Sequence, residues 1–327
     1  MKQFILTTVF GILTAISAVA QNPIVRNLFT PDPAPYVHGD TVYLFTDHDE
    51  PDATYFKMKD WLLYTSTDMK NWTFEGTPLT LATFKWARQD DNAWASQAIE
   101  RDGKWYWYVA CEDTTNHIHG IGVAMADNPR GPWIDPIGKP LVPGAWGYID
   151  PSVFIDDDEQ AYLFWGNNGL WYAKLNRDMV TLSSEIIKVN TDDVKAFGPL
   201  KKKYDYQVRD TIFKTNYEEG PWVYKRNNIY YMIYAAGGVP EHMAYSTATN
   251  INGPWKYGGK IMGEADNSFT IHGGAIHFKG KDYMFYHNGI LPNGGGFRRS
   301  TCVEEFQYNP DGSIPFIPFT KASSWGR

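Results

Sequence analysis

The chain has 327 residues and a formal net charge of −7, from 37 acidic residues against 30 Lys and Arg. With no basic run longer than Lys201-Lys202-Lys203, this balance argues against nucleic acid or an anionic membrane as partner and leaves neutral ligands open. The 13 Trp, 21 Tyr and 18 Phe are explained for the most part by packing between twisted sheets.

Residues 1–20 read as a signal peptide: Lys2 gives a positive start, Phe4 to Ile16 an apolar run, and Ala18-Val19-Ala20 a small-x-small cleavage site. The run is short for a bilayer span. The expectation is a monomer exported to the periplasm or medium after cleavage near Ala20, with residues 21–327 forming one domain.

Five copies of one phrase follow. A polar or turn-forming opening leads through an apolar stretch and a Gly, Asn or Asp turn to an aromatic run: Asp32-Pro33-Ala34-Pro35 to Tyr43-Leu44-Phe45, Trp94-Ala95-Ser96 to Tyr106-Trp107-Tyr108, Asp150-Pro151-Ser152 to Tyr162-Leu163-Phe164, Glu219-Gly220-Pro221 to Tyr231-Met232-Ile233, and His272-Gly273-Gly274 to Tyr283-Met284-Phe285. Later turn-plus-Trp phrases, such as Gly131-Pro132-Trp133 and Gly253-Pro254-Trp255, mark a second hairpin per unit. Units of about four strands recurring roughly every 50 to 70 residues predict an all-β chain folded as a five-bladed β-propeller. The first strand of each blade lines the axis, so Asp32, Trp94, Asp150, Glu219 and His272 are expected to converge on one funnel.

In chain order, Asn22 to Phe29 are placed to pair with the last blade and close the ring. The polar stretch from Asp47 to Lys59, with Asp47, His48, Asp49, Glu50 and Asp52 close together, lacks defined metal-ligand spacing and reads as a solvated loop at the funnel rim. Asp156 to Glu159 fall where a hairpin turns, and read as a solvated turn. The long connection from Val189 to Glu219 reads as an inserted loop near the site, its Lys201-Lys202-Lys203 solvated. Cys111 and Cys302 fall in blades that are not neighbours and read as two buried thiols. The tail from Ile314 is expected to cap the outside.

Three carboxylates on one axis carry the chemistry. Either Asp-Pro opening alone is an ordinary turn signal, Glu219 has Glu218 as a competitor, and a lone His272 reads first as a structural histidine. Their shared position in one repeat changes that. Like charges held close raise the pKa of at least one, so one carboxyl keeps its proton while another is ionised. Glycoside hydrolysis needs such a pair, an acid for the leaving oxygen and a carboxylate that attacks or activates water.

These residues carry a resemblance to glycoside hydrolase family 43, five-bladed propeller enzymes that include arabinofuranosidases, xylosidases and arabinanases. Asp32-Pro33-Ala34-Pro35, Ile149-Asp150-Pro151-Ser152-Val153-Phe154, Glu219-Gly220-Pro221-Trp222 and Phe285-Tyr286-His287-Asn288 match its blocks in order. The resemblance implies Asp32 as general base, Glu219 as general acid and Asp150 as the group that raises and orients the acid. It implies Trp94, Arg299 and Asn288 as sugar contacts, and His272 reaching a calcium ion or its waters in the funnel. One of the consecutive Arg298 and Arg299 side chains can point inward on a strand, and the resemblance favours Arg299, which better fits the family block.

The expected function is an exported, inverting hydrolase that removes terminal α-L-arabinofuranosyl groups from arabinoxylan or its oligosaccharides, with no cofactor required. Its partner would be a plant cell-wall pentose polysaccharide or fragment. The nearest alternative is a β-D-xylosidase, and the next a non-catalytic carbohydrate-binding propeller.

Overall fold

The structure, a computed structural model, describes residues 22–200 and 215–320. It is nearly all β, with five small antiparallel sheets arranged as a five-bladed propeller. Blade one holds β1 (Ala34–His38), β2 (Thr41–Asp47), β3 (Asp60–Ser66) and β4 (Thr73–Thr80). Blade two holds β5 (Ala93–Arg101), β6 (Lys104–Asp113) and β7 (Ile118–Ala126). Blade three holds β8 (Ser152–Ile155), β9 (Ala161–Trp165), β10 (Leu170–Leu175) and β11 (Ile187–Val189). Blade four holds β12 (Tyr217–Arg226), β13 (Ile229–Ala236), β14 (His242–Ala248) and β15 (Lys256–Glu264), and blade five β16 (Ala275–Phe278), β17 (Lys281–Asn288) and β18 (Ser300–Phe306).

Turn chemistry sets the register. Asp102-Gly103, Asn227-Asn228 and Lys279-Gly280 each form a two-residue hairpin loop with both residues at positive φ, the geometry that matches the twist of the flanking strands. The acidic run of blade three is likewise a turn, the Glu159 N–H donating to the Asp156 carbonyl at 2.9 Å. Asp156 is not a bare solvated acid, however, because it accepts from Lys225 and Tyr230 at 2.9 and 2.6 Å.

Four strands per blade hold in three sheets. Blades two and five have three-stranded sheets among the described residues. In blade two the chain after β7 makes only single bridges, Met125 to Ile134 and Ile121 to Val142. In blade five the outer place goes to the N-terminal segment, as its pairing potential predicts. The Ile24 N–H donates to the Thr301 carbonyl, and the Asn22 side chain exchanges hydrogen bonds with the Val303 backbone, all at 2.9 Å. First and last blades are thereby joined.

Aromatic residues fill the seams between blades. Phe45 of blade one meets Trp107 of blade two edge to face, with centroids 4.7 Å apart, and Trp61, Trp107 and Trp165 are fully buried. Burying a side chain of this size contributes about 2–3 kcal/mol, which makes the seams the main source of cohesion. Cys111 and Cys302 are buried free thiols. Ile314 and Ile317 of the tail are buried against the blades. Between blades three and four the connection forms a short helix, α1 (Val194–Phe197), capped by the Asp193 side chain. Lys201, Lys202 and Lys203 lie outside the described residues.

Candidate active site

Each axial residue sits at or just before the first strand of its blade, and all five line one cavity of about 470 Å³. Two of them are held in unusual backbone. Asp32 and Asp150 have φ of +51° and +58°, a region that costs non-glycine residues energy and that clusters at functional sites. The third carboxylate, Glu219, lies between two register shifts of β12. Gly220 beside it has φ +61°, and a Cβ there would come within 2.8 Å of the His272 ring.

Asp32 is 8% exposed. Its Oδ1 lies 3.3 Å from Arg299 Nη1, 3.4 Å from His272 Nδ1 and 3.2 Å from His287 Nδ1. Burial acts to raise its pKa, but the Arg299 charge and the bond to His272 hold it well below the usual carboxylate range. Asp32 is therefore ionised. Its backbone N–H donates to His287 Nδ1 at 3.1 Å, which leaves the other ring nitrogen to donate to Thr270. His287 is accordingly neutral, pushed down to about 4 chiefly by burial.

Arg299 faces inward, and Arg298 turns to the Ala53 and Asn293 carbonyls. The Arg299 guanidinium forks onto Asp49, Nε to Oδ2 and Nη2 to Oδ1, both at 3.0 Å. It also lies 5.0 Å from the Phe56 ring centre. The stretch from Asp47 to Lys59 is not simply a solvated loop, because Asp47 and Asp49 are fully buried. Removing Asp49 would leave a buried guanidinium short of its main partner. Asp49→Ala is expected to cost about 3–5 kcal/mol of stability, read by urea denaturation.

Across the funnel, Asp150 Oδ2 accepts the Gly220 N–H at 3.0 Å, and Asn167 Nδ2 donates to Glu219 Oε2. Burial and the Glu219 charge push Asp150 up to about 8, and burial likewise raises Glu219. Two such neighbours retain a proton between them through neutral pH. Glu218, also pushed up to about 8 by burial, does not line the cavity. Between the two walls stands His272. Burial acts to lower its pKa, but the Asp32 bond and the surrounding carboxylates raise it to about 9, so it carries a proton.

His272 Nδ1 faces the Asp32 carboxylate at 3.4 Å. Among the described residues no group of three or more His, Cys, Asp or Glu side chains is arranged to hold an ion.

Trp94 is fixed at the cavity wall by its Nε1 donating to the Phe56 carbonyl at 3.1 Å, and its ring stacks on His119 at 4.0 Å. Asn288 does not line the cavity. It is 5% exposed, and its Oδ1 accepts the Ile290 N–H at 3.4 Å, which ties it to the loop after β17. Sequence reasoning missed His287, Asp49, Thr270 and Asn167 as site residues. His287 stood inside a quoted block, whereas Asp49 gave no signal of burial without its partner 250 positions away. At the rim, Trp146 is 67% exposed.

Comparison with known proteins agrees with this geometry. The family model described as Glycosyl hydrolases family 43 matches residues 20–314. A Xylosidase/arabinosidase of Bacteroides ovatus is 30% identical over 312 residues, covering 86% of this chain and 93% of its own. Xylosidase/arabinosidase 43A of Humicola insolens is 29% identical over 329 residues, covering 89% and 98%. Among solved structures, CoXyl43, a β-xylosidase/α-arabinofuranosidase from a compost microbial metagenome in complex with xylotriose and in calcium-free form, superposes with a TM-score of 0.79 at 26% identity, over 92% of this chain and 98% of that one. The chain belongs to glycosyl hydrolases family 43 and is a glycoside hydrolase.

Proposed function

We propose that the protein is an inverting exo-pentosidase that releases terminal α-L-arabinofuranosyl and β-D-xylosyl groups from arabinoxylan-type oligosaccharides. Family membership sets aside the non-catalytic reading. The observation that carries the mechanism is the opposite behaviour of two carboxyls in one cavity, Asp32 held ionised and Glu219 pushed toward its protonated form. In this reading the anomeric carbon sits between them. Asp32 takes a proton from a water as its oxygen bonds to that carbon, and Glu219 gives its proton to the departing glycosidic oxygen. Arg299 fixes the base, and Asp150 with Asn167 fixes the acid. Trp94 supplies the stacking wall. The reaction uses these groups and water alone.

Both sugars present similar hydroxyl patterns to such a pocket, and the printed names of the relatives join the two activities. Hydrolysis of chromogenic α-L-arabinofuranoside and β-D-xyloside side by side tests the substrate reading. Turnover of both, with single pentoses released from the ends of oligosaccharides, is expected. Cleavage confined to internal linkages would overturn it.

The pH profile follows from the same groups. Raised groups hold their proton below their folded pKa, so kcat/KM is expected to fall as pH rises through about 8, where the Asp150 pair loses its proton. Stability should move the same way. Asp150 raised to about 8 and His272 raised to about 9 contribute stability that is present below their unfolded values and lost as pH rises through the folded ones. A thermal midpoint that falls as pH rises from the unfolded values, 3.8 and 6.5, to the folded ones, about 8 and about 9, checks this.

We also infer export from Lys2, the Phe4 to Ile16 run and the Ala18-Val19-Ala20 site. N-terminal sequencing of the protein from its native host should begin near Gln21, and an intact Met1 would contradict it.

A further inference from the structure

Asp47 ends β2, and its N–H donates to the Pro31 carbonyl at 3.3 Å, which sets it against the turn that presents Asp32. Its side chain is 0% exposed, and neither carboxyl oxygen receives a hydrogen bond from any described residue. The groups facing it are Asp32, Asp49, Arg299 and the Cys111 thiol. Arg299 directs its hydrogen bonds elsewhere, Nε and Nη2 to Asp49 and Nη1 to Asp32 and Thr270.

A buried ionised carboxylate with no protein donor is among the costliest arrangements in a protein. A neutral carboxyl there has one O–H to give. The charges agree: Asp32 and Asp49 already share the Arg299 guanidinium, and a third negative charge beside it would be uncompensated. Burial and the Asp32 charge both raise Asp47.

We propose that Asp47 is held as a neutral carboxylic acid whose O–H donates to the Asp32 carboxylate, making it a positioning residue for the catalytic base. The inference rests on the reading of Asp32 as base. The proton stays on Asp47 throughout turnover. Its bond weakens Asp32 as a base slightly but keeps it ionised and fixes which oxygen faces the water.

Two measurements test this. In the infrared difference spectrum between the native protein and Asp47→Asn at neutral pH, the native protein is expected to show a protonated-carboxyl C=O band that the variant lacks. Loss of a carboxylate band instead would show Asp47 ionised and overturn the proposal. In the pH profile of kcat/KM, Asp47→Leu, which removes the donor, is expected to raise the acidic limb by about one to two pH units. Asp47→Asn, which still offers an N–H, should move it less. An unmoved limb in folded Asp47→Leu, or a limb lowered in Asp47→Asn, would overturn the positioning role. Asp32→Asn run beside them separates the readings. Retained turnover there would remove the base assignment itself, whereas an inactive Asp32→Asn with an unmoved Asp47→Leu limb would remove only this inference.

Discussion

Glu219→Gln is expected to lower kcat by about 10²–10⁴-fold on oligosaccharides, the range for losing a positioned general acid. The amide keeps the shape and can still meet Asn167, so binding should survive and KM should change little. The loss should depend on the leaving group. A sugar alkoxide departs poorly without a proton, whereas a para-nitrophenolate departs readily, so the defect should shrink on the aryl glycoside. The substitution would also take a charge away from Asp150, whose elevation to about 8 is caused by burial first and the Glu219 charge second. The alkaline limb of any residual activity should move accordingly. Steady-state kinetics on paired alkyl-type and aryl substrates reads all three effects.

Asp32→Asn is expected to cost a similar factor, about 10²–10⁴-fold in kcat, with a different signature. Water activation is needed whatever the leaving group, so aryl and oligosaccharide substrates should lose activity alike. The substitution also disturbs the electrostatics more widely. His272 stands at about 9 because of its bond to Asp32 and the surrounding carboxylates, so its pKa should fall in the variant, a change visible by NMR titration of the imidazole. Arg299 keeps its fork to Asp49, so the fold should persist. Equal leaving-group dependence in the two variants would mean that their roles are assigned wrongly.

The propeller was legible because local chemistry and global repetition agree. Asp102-Gly103, Asn227-Asn228 and Lys279-Gly280 announce two-residue hairpins, and the structure closes each of them at that place. Spacing the openings at a near-regular interval then forces Asp32, Trp94, Asp150, Glu219 and His272 toward one axis, and they do line one cavity. The number of strands per blade was less legible, since the outer edge of a blade is set by what covers it. In blade five that cover comes from Asn22 and Ile24, far away in sequence.

Burial of charge was the least legible feature. Asp47 and Asp49 sit among His48, Glu50 and Asp52 and look like a solvated run, because nothing local states that a guanidinium from blade five will meet Asp49. Compensation between residues 250 positions apart is a property of the closed ring. Asn288 fails for the reverse reason. It follows His287 in a family-like block, but strand alternation gives consecutive residues opposite faces, and His287 takes the inner one.

The stereochemistry of hydrolysis tests the account most directly. With Asp32 activating water on one face and Glu219 protonating the leaving oxygen on the other, the first sugar released must carry the inverted configuration at its anomeric carbon. Proton NMR of the products before mutarotation should show α-xylose from a β-D-xyloside, or β-arabinose from an α-L-arabinofuranoside. A first product of retained configuration would require a covalent glycosyl-enzyme and would contradict the assignment of Asp32 as a base.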